Sequence, residues 1–459
     1  MTLRFGTDGV RGLANAELTP ELVVALGRAA ARVLGCDRFV VGRDTRRSGP
    51  LLEAALAAGL ASEGVRVDLL GMAPTPAVAS ASAWDGVCGA VISASHNPFP
   101  DNGIKFFLPG GRKLTDDIEA RLEAELDRIV HGGAGRPDAP TAERVGTITD
   151  AHGLLDRYGD SIVASVDGHR LDGLALVIDC ANGAAAEAAP AALRRLGADV
   201  TVINDRPDGT NINDRCGSTD PSDLRRAVVE LGADAGLAFD GDADRVIAVD
   251  ATGQLVDGDQ IIAVCALDLK QRGQLVDDTV VITVMTNLGF RLAMAERGVH
   301  LVETAVGDRY VLDALEDGGW SLGGEQSGHV IFRRLATTGD GLLTGVQLLD
   351  VVARRGMPLG DLAGVMRRLP QVLRNVKVSG SAVDLTDRMA GDVAEAETEL
   401  GATGRVLVRP SGTEPLVRVM VEASSQDQAD AVAARLVSSV ERLASDAGEP
   451  ARSGRSRPA

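Results

Sequence analysis

The sequence predicts an α/β protein of several domains, built from mostly parallel sheets with helices on their faces. Short apolar runs typical of buried strands alternate with amphipathic stretches typical of helices along most of the 459 residues. Aromatic residues make up only 3% of the chain and glycines number 54, which suits interiors filled by alanine, valine and leucine. A chain of this length is expected to form two to four domains.

Charge and cysteine content narrow the class of protein. The formal net charge of −18 argues against a nucleic-acid-binding surface. The N-terminus has no apolar signal core, and no run of about 18 apolar residues occurs, so we expect a cytoplasmic protein with no membrane partner. The cysteines lie far apart without a C-x-x-C pair, which predicts reduced thiols rather than a disulfide framework or a zinc site. They are Cys36, Cys88, Cys180, Cys216 and Cys265.

The first predicted domain covers residues 1–158. Its opening stretch, Arg4 to Gly12, contains glycines and two arginines, which favour an exposed loop that meets an anion through Arg11, although an ordinary surface turn explains the same residues. Thr19 is the predicted cap of a helix over 19–35, with Pro20 in the first turn. Strands are then predicted at 39–41, 65–70 and 87–92, and a helix at 50–64.

A candidate nucleophile, Ser95, follows the third of these strands. In open α/β sheets, functional loops lie at the carboxyl ends of strands. Asn97-Pro98 takes the chain out of regular structure directly afterwards. No G-x-S-x-G elbow is present, so an esterase-type serine is not expected. A catalytic serine and a merely capping serine both remain open from this segment alone, and Lys105 lies close in sequence.

The second predicted domain, residues 159–255, contains a cluster of carboxylates. Asp240, Asp242 and Asp244 alternate along a short loop that Arg245 follows, between the apolar runs 237–239 and 246–249. Their mutual repulsion predicts a hard divalent cation, Mg²⁺ above all. The segment is not a calcium EF-hand, because Arg245 and Ala251 stand where such a loop has glycine and glutamate. A solvated acidic turn is the alternative.

The third predicted domain, residues 256–370, repeats the strand–helix alternation. Its segment 323–329 contains Glu325, Ser327 and His329, whose side chains can hydrogen-bond to the hydroxyl groups of a sugar. Because all three α/β domains show the same strand–helix alternation, they suggest related units, although their sequences are too dissimilar to prove an internal repeat.

The last predicted domain, residues 371–445, is a smaller α+β layer. Between two of its strands lie small hydroxyl residues around a glycine, with arginines on either side, which predicts a concave turn that binds phosphate. It is not a Walker loop, and a plain hairpin turn is the alternative. The residues concerned are Arg409, Ser411, Gly412, Thr413 and Arg418. The polar tail 446–459 is expected to be disordered.

Together, a metal loop, a candidate nucleophile and a separate phosphate site predict phosphoryl transfer. A phosphatase needs only the first two, so the second anion site indicates a substrate held by one phosphate while another position reacts. A phosphorylated Ser95 would bring about −2 to a site that already holds three aspartates. Even with Mg²⁺ bound, cations are needed there, and Lys105, Arg245 and Arg11 can supply them.

Four motifs occur in the order found in the α-D-phosphohexomutase superfamily, and the resemblance covers roughly residues 1–445. They are I-S-A-S-H-N-P at 92–98, D-G-D-A-D-R at 240–245, G-G-E-Q-S-G-H at 323–329 and R-P-S-G-T-E-P at 409–415. Extended matches at 92–107 and 211–219, with Gln326, are most similar to the amino-sugar members. The resemblance implies four domains around a central cleft: three similar α/β units and a C-terminal α+β domain of the TATA-box-binding-protein type.

The resemblance also implies a mechanism. Ser95 would carry a phosphate that ligates Mg²⁺ together with Asp240, Asp242 and Asp244. The enzyme would pass this phosphoryl group to glucosamine 6-phosphate, which gives a 1,6-bisphosphate that also serves as activator. The bound sugar would then reverse its orientation, and Ser95 would take back the phosphoryl group from position 6. The product, glucosamine 1-phosphate, would supply UDP-N-acetylglucosamine for the cell wall.

The implied roles of individual residues complete the prediction. The catalytic residues expected are Ser95, His96, Lys105 and Arg245, with the general acid/base open between His96 and Lys105. Asp308 is a candidate partner for the 2-ammonium group of the substrate. A phosphomannomutase/phosphoglucomutase and an inactive sugar-phosphate sensor are the rival interpretations, and the oligomeric state stays open, with a homodimer considered. The expected substrate-binding residues are Arg11, Glu325, Ser327, His329, Arg409, Ser411, Gly412, Thr413 and Arg418.

Overall fold

The computed structural model describes residues 9–132, 138–378, 382–410 and 416–448, with side chains to 445. Three of the predicted phosphate-binding residues, Ser411, Gly412 and Thr413, lie outside these ranges, as do the start of the 4–12 loop and the tail from 449. Among the residues described, no helix combines the length and apolar character needed to span a lipid bilayer.

The first sheet has seven strands, which we label β1 to β7: Val10–Leu13, Arg38–Arg43, Arg66–Met72, Cys88–Ile92, Asp101–Leu108, Arg112–Lys113 and Ile148–Asp150. Their order in the sheet is β1-β5-β4-β2-β3-β7, with β6 paired to β5. The predicted cap of the first helix is confirmed, since the Leu22 amide donates to the Thr19 hydroxyl over 3.3 Å. The helices are Pro20–Leu34, Gly49–Ala61, Thr75–Asp85, Asp116–His131 and Gly153–Ala164, labelled α1 to α5.

Strand β5 was not predicted, and it determines where the loop after β4 goes. It pairs antiparallel with β4 and places Lys105 opposite Val91. The chain therefore reverses between Ile92 and Asp101, and Ser95 lies in that reversal at the carboxyl end of β4. The segment contains a glycine and mixes polar with apolar residues, so its sequence alone resembles a loop.

The second sheet has the order β12-β11-β10-β8-β9. Strands β10 and β11 pair antiparallel up to Phe239 and Val246, so residues 240–245 form the connecting turn. The predicted strand–loop–strand arrangement around the aspartates is thus confirmed. The strands are Ala175–Asp179, Asp199–Ile203, Ala235–Phe239, Val246–Asp250 and Leu255–Val256 (β8 to β12), and the helices are Ala185–Arg195 and Ser222–Leu231 (α6 and α7).

The third sheet has the order β14-β13-β15-β16. Its last two strands pair antiparallel from Gly324 and Val330 outward, so residues 325–329 form a tight connection. The strands are Thr279–Thr283, His300–Thr304, Leu322–Gly324 and Val330–Phe332 (β13 to β16). The helices are Gly258–Gln271, Leu288–Glu296, Asp308–Gly318, Gly341–Arg355 and Leu359–Ala363 (α8 to α12).

By the packing of the backbone, the described residues up to 285 and from 297 to 365 form one compact unit, and residues 286–296 with the described residues from 366 onward form a second. The second unit therefore includes α9, which the sequence predicted as part of the third domain. Asn287 and Leu369 are joined by two hydrogen bonds of 3.0 Å, and the Leu288 amide donates to Glu422, which explains the grouping.

The sheet of the second unit is antiparallel in the order β17-β19-β18, and its apolar face packs against helices. The strands are Gln371–Lys377, Arg405–Pro410 and Leu416–Glu422 (β17 to β19), and the helices are Ala382–Arg388, Ala390–Leu400 and Gln426–Gly448 (α13 to α15).

The expectation that all five cysteines are thiols is wrong for two of them. The sulfur atoms of Cys36 and Cys88 are bonded to each other. Cys36 follows α1 and Cys88 begins β4, and their Cα atoms lie 6.0 Å apart, a separation that the linear sequence does not reveal. Cys180, Cys216 and Cys265 are free and buried.

A buried pair, Tyr158 and Asp340, yields a test of packing in the larger unit. The Tyr158 hydroxyl donates to the Asp340 carboxylate over 2.9 Å, and both side chains are almost fully buried. Burial raises the pKa of Asp340 to about 6, and the hydrogen bonds from Leu343 and Tyr158 partly oppose that rise. A raised pKa means that this group's contribution to stability is lost as pH rises through about 6.

We therefore expect Tyr158→Phe to lower the free energy of unfolding more at about pH 8, where Asp340 is ionised, than at about pH 5, where Asp340 is protonated. Loss of a hydrogen bond to a charged acceptor costs about 1.5–3 kcal/mol, and one to a neutral acceptor costs about 1 kcal/mol. Chemical denaturation at the two pH values measures both losses. Tyr310→Phe, at the half-exposed second tyrosine, is the control. Equal losses at both pH values would contradict the assignment.

Candidate active site

The backbone of Ser95 is held in an unusual conformation. Its φ of 53° lies in the left-handed region, which disfavours residues with a side chain. The Ser95 amide donates to the Ser93 hydroxyl over 2.9 Å, and its carbonyl accepts from the Asn213 side chain over 2.9 Å. The residue is buried, and its own hydroxyl donates to Asp240 Oδ2 over 2.6 Å. The turn thus directs Ser95 Oγ at the predicted metal loop.

The metal loop fits against this turn because of a glycine. A Cβ atom on Gly241 would lie 2.6 Å from the Ser95 carbonyl oxygen and 2.8 Å from the Asn213 amide nitrogen. Any side chain at this position would therefore push the two loops apart. The tight turn also brings the carboxylates of Asp240, Asp242 and Asp244 together, with one oxygen of each within 4.8 Å of the others.

Protein donors occupy one oxygen each of Asp242 and Asp244 and both oxygens of Asp240. Asp240 Oδ1 accepts from the Arg245 amide over 3.2 Å. Asp242 Oδ2 accepts from the Thr75 hydroxyl over 2.7 Å and from Lys105 Nζ over 2.9 Å. Asp244 Oδ2 accepts from the same lysine over 3.4 Å.

The other oxygens are those that fit a cation. Asp242 Oδ1 and Asp244 Oδ1 are buried and accept no hydrogen bond from the residues described, and Asp240 Oδ2 meets the Ser95 hydroxyl. Carboxylate oxygens without donors, side by side, are the ligands that Mg²⁺ prefers. The alternative of a solvated acidic turn does not fit, because none of the three aspartates is more than 3% exposed.

The charges around the loop make its aspartates unequal. Burial raises the pKa of Asp240 well above its ordinary value, and the charges of Asp244 and Asp242 raise it further. Burial also acts to raise the pKa of Asp244, but Lys105 and His329 outweigh it and hold that pKa well below the ordinary value. A divalent cation would relieve the repulsion that Asp240 experiences.

His96 contacts the serine hydroxyl, and Arg11 and Arg245 lie beside neighbouring residues of the two loops. His96 Nδ1 is 3.3 Å from Ser95 Oγ. Burial lowers the pKa of His96, and the charges of Arg245 and Arg11 lower it further, so the imidazole is neutral near neutral pH. Arg11 donates to the Asn97 side chain over 3.4 Å, and Arg245 Nε lies 3.8 Å from Asp244 Oδ1.

The sugar-loop residues lie in two different environments. Glu325 is half-buried and accepts from the Gly307 amide over 2.9 Å, while Ser327 is exposed and donates to Glu325 over 3.4 Å. His329 differs from the hydroxyl-binding role expected of it, because it is 3% exposed and its ring nitrogens face carboxylates. Nδ1 lies 3.7 Å from Asp244, and Nε2 lies 3.1 Å from Asp308.

These carboxylates keep His329 charged. Burial acts to lower the pKa of His329, but Asp308 and Asp244 raise it to about 10. Nε2 also lies 3.0 Å from the Gly339 amide, a contact that only a neutral ring could accept, and the two carboxylates favour the charged ring. Asp308 further receives Lys113 at 2.6 Å, so its carboxylate is already paired with two cations. The suggestion that Asp308 serves the substrate's ammonium group is therefore not supported by its surroundings.

The phosphate site predicted in the last domain is described in part. Arg409 and Arg418 are direct cross-strand partners on β18 and β19. Burial lowers the pKa of Arg409, and the charge of Arg418 lowers it further. Like charges opposite each other are unfavourable. Arg418 Nε is buried without a hydrogen-bond partner among the residues described, so the pair fits an anion.

Sequence reasoning missed several residues that build the site. Asp44 and Arg46 follow β2, and their side chains bond to the serine loop. The rule that functional groups follow the carboxyl ends of parallel strands could have identified them, because β2 lies beside β4. Thr75 carried no local signal, and Asn213 lies in the matched segment 211–219 but was given no role, since each acts on a loop distant in sequence.

Family comparisons match the chain over almost its whole length. Four profiles of the family described as phosphoglucomutase/phosphomannomutase align in order. Alpha/beta/alpha domain I matches residues 2–131, domain II matches 156–253, domain III matches 257–369 and the C-terminal domain matches 373–439.

Individual relatives agree with the profiles. A phosphoglucosamine mutase of Thermobifida fusca is 58% identical over 95% of this chain and 97% of its own length, and one of Frankia alni is 54% identical over 96% and 98%. A solved phosphoglucomutase/phosphomannomutase family protein of Burkholderia thailandensis has a TM-score of 0.78 at 29% identity, covering 97% and 98%. An Aspergillus fumigatus N-acetylphosphoglucosamine mutase, solved with GlcNAc-6P and magnesium, has a TM-score of 0.70 at 18% identity over 97% and 96%, and supports the fold alone.

The donor-free oxygens lead to a test of metal binding. Asp242→Asn keeps the shape of the side chain and removes one anionic ligand, so we expect Mg²⁺ affinity to fall at least about tenfold, or about 1.4 kcal/mol. Calorimetric titration with MgCl₂ measures the change. Asp250→Asn is the control, because Asp250 is also buried, at 8% exposed against 0% for Asp242, and its carboxylate accepts from Thr252 and Gln254. Equal Mg²⁺ affinity in Asp242→Asn and the unmodified chain would refute this ligand set.

Proposed function

This chain belongs to the phosphoglucomutase/phosphomannomutase family of the α-D-phosphohexomutase superfamily, and we propose that it interconverts glucosamine 6-phosphate and glucosamine 1-phosphate. One observation above all supports phosphoryl transfer: Ser95 Oγ lies 2.6 Å from Asp240 Oδ2, which belongs to a buried cluster of aspartates suited to Mg²⁺. The amino sugar as substrate rests on relatives up to 58% identical that share the name phosphoglucosamine mutase.

The proposed reaction moves one phosphoryl group out and another back. In the first step the C1 hydroxyl oxygen of glucosamine 6-phosphate bonds to the phosphorus on Ser95. The bond from phosphorus to Ser95 Oγ breaks, and the hydroxyl proton ends on the serine. The 1,6-bisphosphate then reverses its orientation in the site. Ser95 Oγ bonds to the phosphorus of the 6-phosphate, and the oxygen at C6 leaves with a proton. No oxidant or other co-reactant is required.

Asp242 and Asp244 would hold Mg²⁺ through their Oδ1 atoms, which accept no hydrogen bond from the residues described, and Asp240 would hold it through Oδ2, which accepts from the Ser95 hydroxyl. When bound, the ion supplies positive charge that stabilises the transferring phosphoryl group. Lys105 pairs with Oδ2 of both Asp242 and Asp244, so one ammonium offsets part of their combined charge and leaves their Oδ1 atoms without a donor. Arg245 and Arg11 add positive charge beside the serine, as the charge of a phosphoserine requires.

His96 is the better placed of the two candidate acid/base groups. Its Nδ1 lies 3.3 Å from Ser95 Oγ, and its lowered pKa leaves a neutral imidazole that accepts a proton. Lys105 Nζ instead donates to Asp242 and Asp244, over 2.9 and 3.4 Å. We therefore assign proton transfer at Ser95 Oγ to His96 and charge balance to Lys105.

Recognition of the substrate is assigned to two further groups of residues. Glu325 and Ser327 would hydrogen-bond to the sugar hydroxyls, because one is half-buried and the other exposed on the same short turn. Arg409 and Arg418 would bind the phosphate that is not being transferred, together with Ser411, Gly412 and Thr413. The repulsion between the two arginines supports this role, since an anion would relieve it.

The domain organisation follows the same proposal. The predicted domains 1–158, 256–370 and 371–445 each contain one whole sheet, and 159–255 contains the second sheet except for Val256 at the end of β12. Helix α5 crosses the boundary at 158/159, so these domain limits stay a proposal. A sugar 1,6-bisphosphate as activator, a cytoplasmic location and a homodimer remain predictions of the resemblance.

The central prediction concerns phosphate on Ser95 and turnover of the amino sugar. Intact-mass analysis of the purified protein should show one phosphate, peptide mapping should place it on Ser95, and Ser95→Ala should lack it. Turnover in Ser95→Ala should fall by at least about 10⁴-fold, since the covalent carrier is removed. Of the 6-phosphates of glucosamine, glucose and mannose, glucosamine 6-phosphate should react fastest. Phosphate on Ser93 would refute the nucleophile, and faster reaction of glucose or mannose 6-phosphate would favour the rival hexose mutase.

A second prediction concerns the arginine pair. Arg409→Ala should raise KM for glucosamine 6-phosphate at least about tenfold and change kcat by less, because it removes a charged contact worth about 1.5–3 kcal/mol to a group that does not react. Arg374→Ala is the control, since Arg374 is exposed on the same sheet and pairs with Asp430. An unchanged KM in Arg409→Ala would mean that the pair binds something else.

A further inference from the structure

Arg46 is a fully buried arginine with no assigned role, and its side chain reaches the loop that presents Ser95. It is 0% exposed and follows β2 directly. Its Nη1 donates to the Pro98 carbonyl over 2.7 Å, and its Nη2 donates to the carbonyls of Ser95 and Asn97 over 2.8 and 2.9 Å. One guanidinium group therefore binds three main-chain carbonyls of the same turn.

The guanidinium is itself fixed by Asp44. Arg46 Nε donates to Asp44 Oδ2 over 2.8 Å, and the Arg46 amide donates to Asp44 Oδ1 over 2.9 Å. Asp44 Oδ2 also accepts from the Ser93 hydroxyl over 2.6 Å, and that hydroxyl oxygen in turn accepts from the Ser95 amide. The Asp44–Arg46 pair thus constrains Ser95 at both ends of the residue, through its amide and through its carbonyl.

This constraint matters because the Ser95 backbone is strained. A residue with a side chain in the left-handed region is disfavoured by roughly 1–2 kcal/mol and persists only where surrounding contacts hold it. A relaxed Ser95 would swing its Oγ away from Asp240 Oδ2, which now lies 2.6 Å away. Misplacement by about 1 Å can cost about 10²-fold in rate.

We propose that Arg46 is a positioning residue for the phosphoryl-transfer step, which holds the Ser95 turn in its left-handed conformation by binding the carbonyls of residues 95, 97 and 98. Asn213 supports the same turn from the second domain. Its side-chain Nδ2 donates to the Ser95 and Asn97 carbonyls over 2.9 and 3.2 Å. The inference rests on the proposed function, because it assigns Arg46 to the reaction of Ser95.

Arg46→Lys tests the inference while retaining a positive charge beside Asp44. A lysine ammonium cannot reproduce the planar fork that binds three carbonyls and a carboxylate at once. We expect kcat for glucosamine 6-phosphate to fall about 100-fold, with KM changed less than about threefold, because substrate contacts are untouched. Phosphorylation of Ser95 by added glucose 1,6-bisphosphate, followed by intact mass, should slow to a similar extent.

Arg354→Lys is the matched control for the loss of a guanidinium. Arg354 makes a comparable set of bonds, to Asp350 over 2.7 Å and to Asp268 over 2.6 and 3.2 Å, without touching the serine loop. It should lower thermal stability in the manner of Arg46→Lys and keep kcat within about twofold. If Arg46→Lys also keeps kcat within about twofold, the positioning role is refuted.

Asn213→Gly keeps the test decisive if Arg46→Lys does not fold. Glycine adopts the left-handed φ of 57° at this position without strain, so the variant removes the side chain and its amide donor without straining the backbone. We expect kcat to fall about tenfold with little change in KM, and an unchanged kcat would overturn the inference. An unmodified chain with neither phosphate on Ser95 nor turnover would overturn the proposed function as well. Normal activity in the unmodified chain together with an active Arg46→Lys would refute the inference alone.

Discussion

The repulsion among three buried carboxylates is the constraint on which the site depends. Asp240, Asp242 and Asp244 lie on one tight turn that water barely reaches, and like charges at that distance in a low-dielectric interior are costly. Lys105 offsets part of the charge and His329 offsets another part. The Oδ1 atoms of Asp242 and Asp244 still accept no hydrogen bond from the residues described. Excess negative charge on such oxygens is what indicates a cation site.

The turn of Ser95 and the turn of the aspartates are fitted to each other. Gly241 leaves room for the Ser95 carbonyl, and Asn213 bonds to that carbonyl from the same domain as the aspartates. Thr75 bonds to Asp242 through both its hydroxyl and its amide. Because these contacts link the first sheet's loops to the second sheet's loops, the distance from Ser95 Oγ to the carboxylates is set by packing rather than by either loop alone.

Alternating charges continue this coupling into the third sheet. Lys105 pairs with Asp244, His329 lies between Asp244 and Asp308, and Asp308 pairs with Lys113. Buried charges of this kind are tolerated only when each has an opposite partner. His329 therefore belongs to the electrostatic support of the metal loop, whereas Glu325 of the same motif is half-buried and Ser327 is exposed.

The sequence by itself determined the family, the α/β class and the strand–loop–strand form of the metal loop, because strand periodicity and short motifs are local properties of the chain. The family comparisons confirm the first two of these predictions, and the hairpin from Phe239 to Val246 confirms the third. The roles of the individual site residues and the domain boundaries stay predictions. Tertiary structure alone decided that Cys36 meets Cys88, that α9 packs with the last domain and that Arg46 holds the serine turn. Each of these joins segments that are distant along the chain, and no local pattern encodes which distant groups will share a buried space.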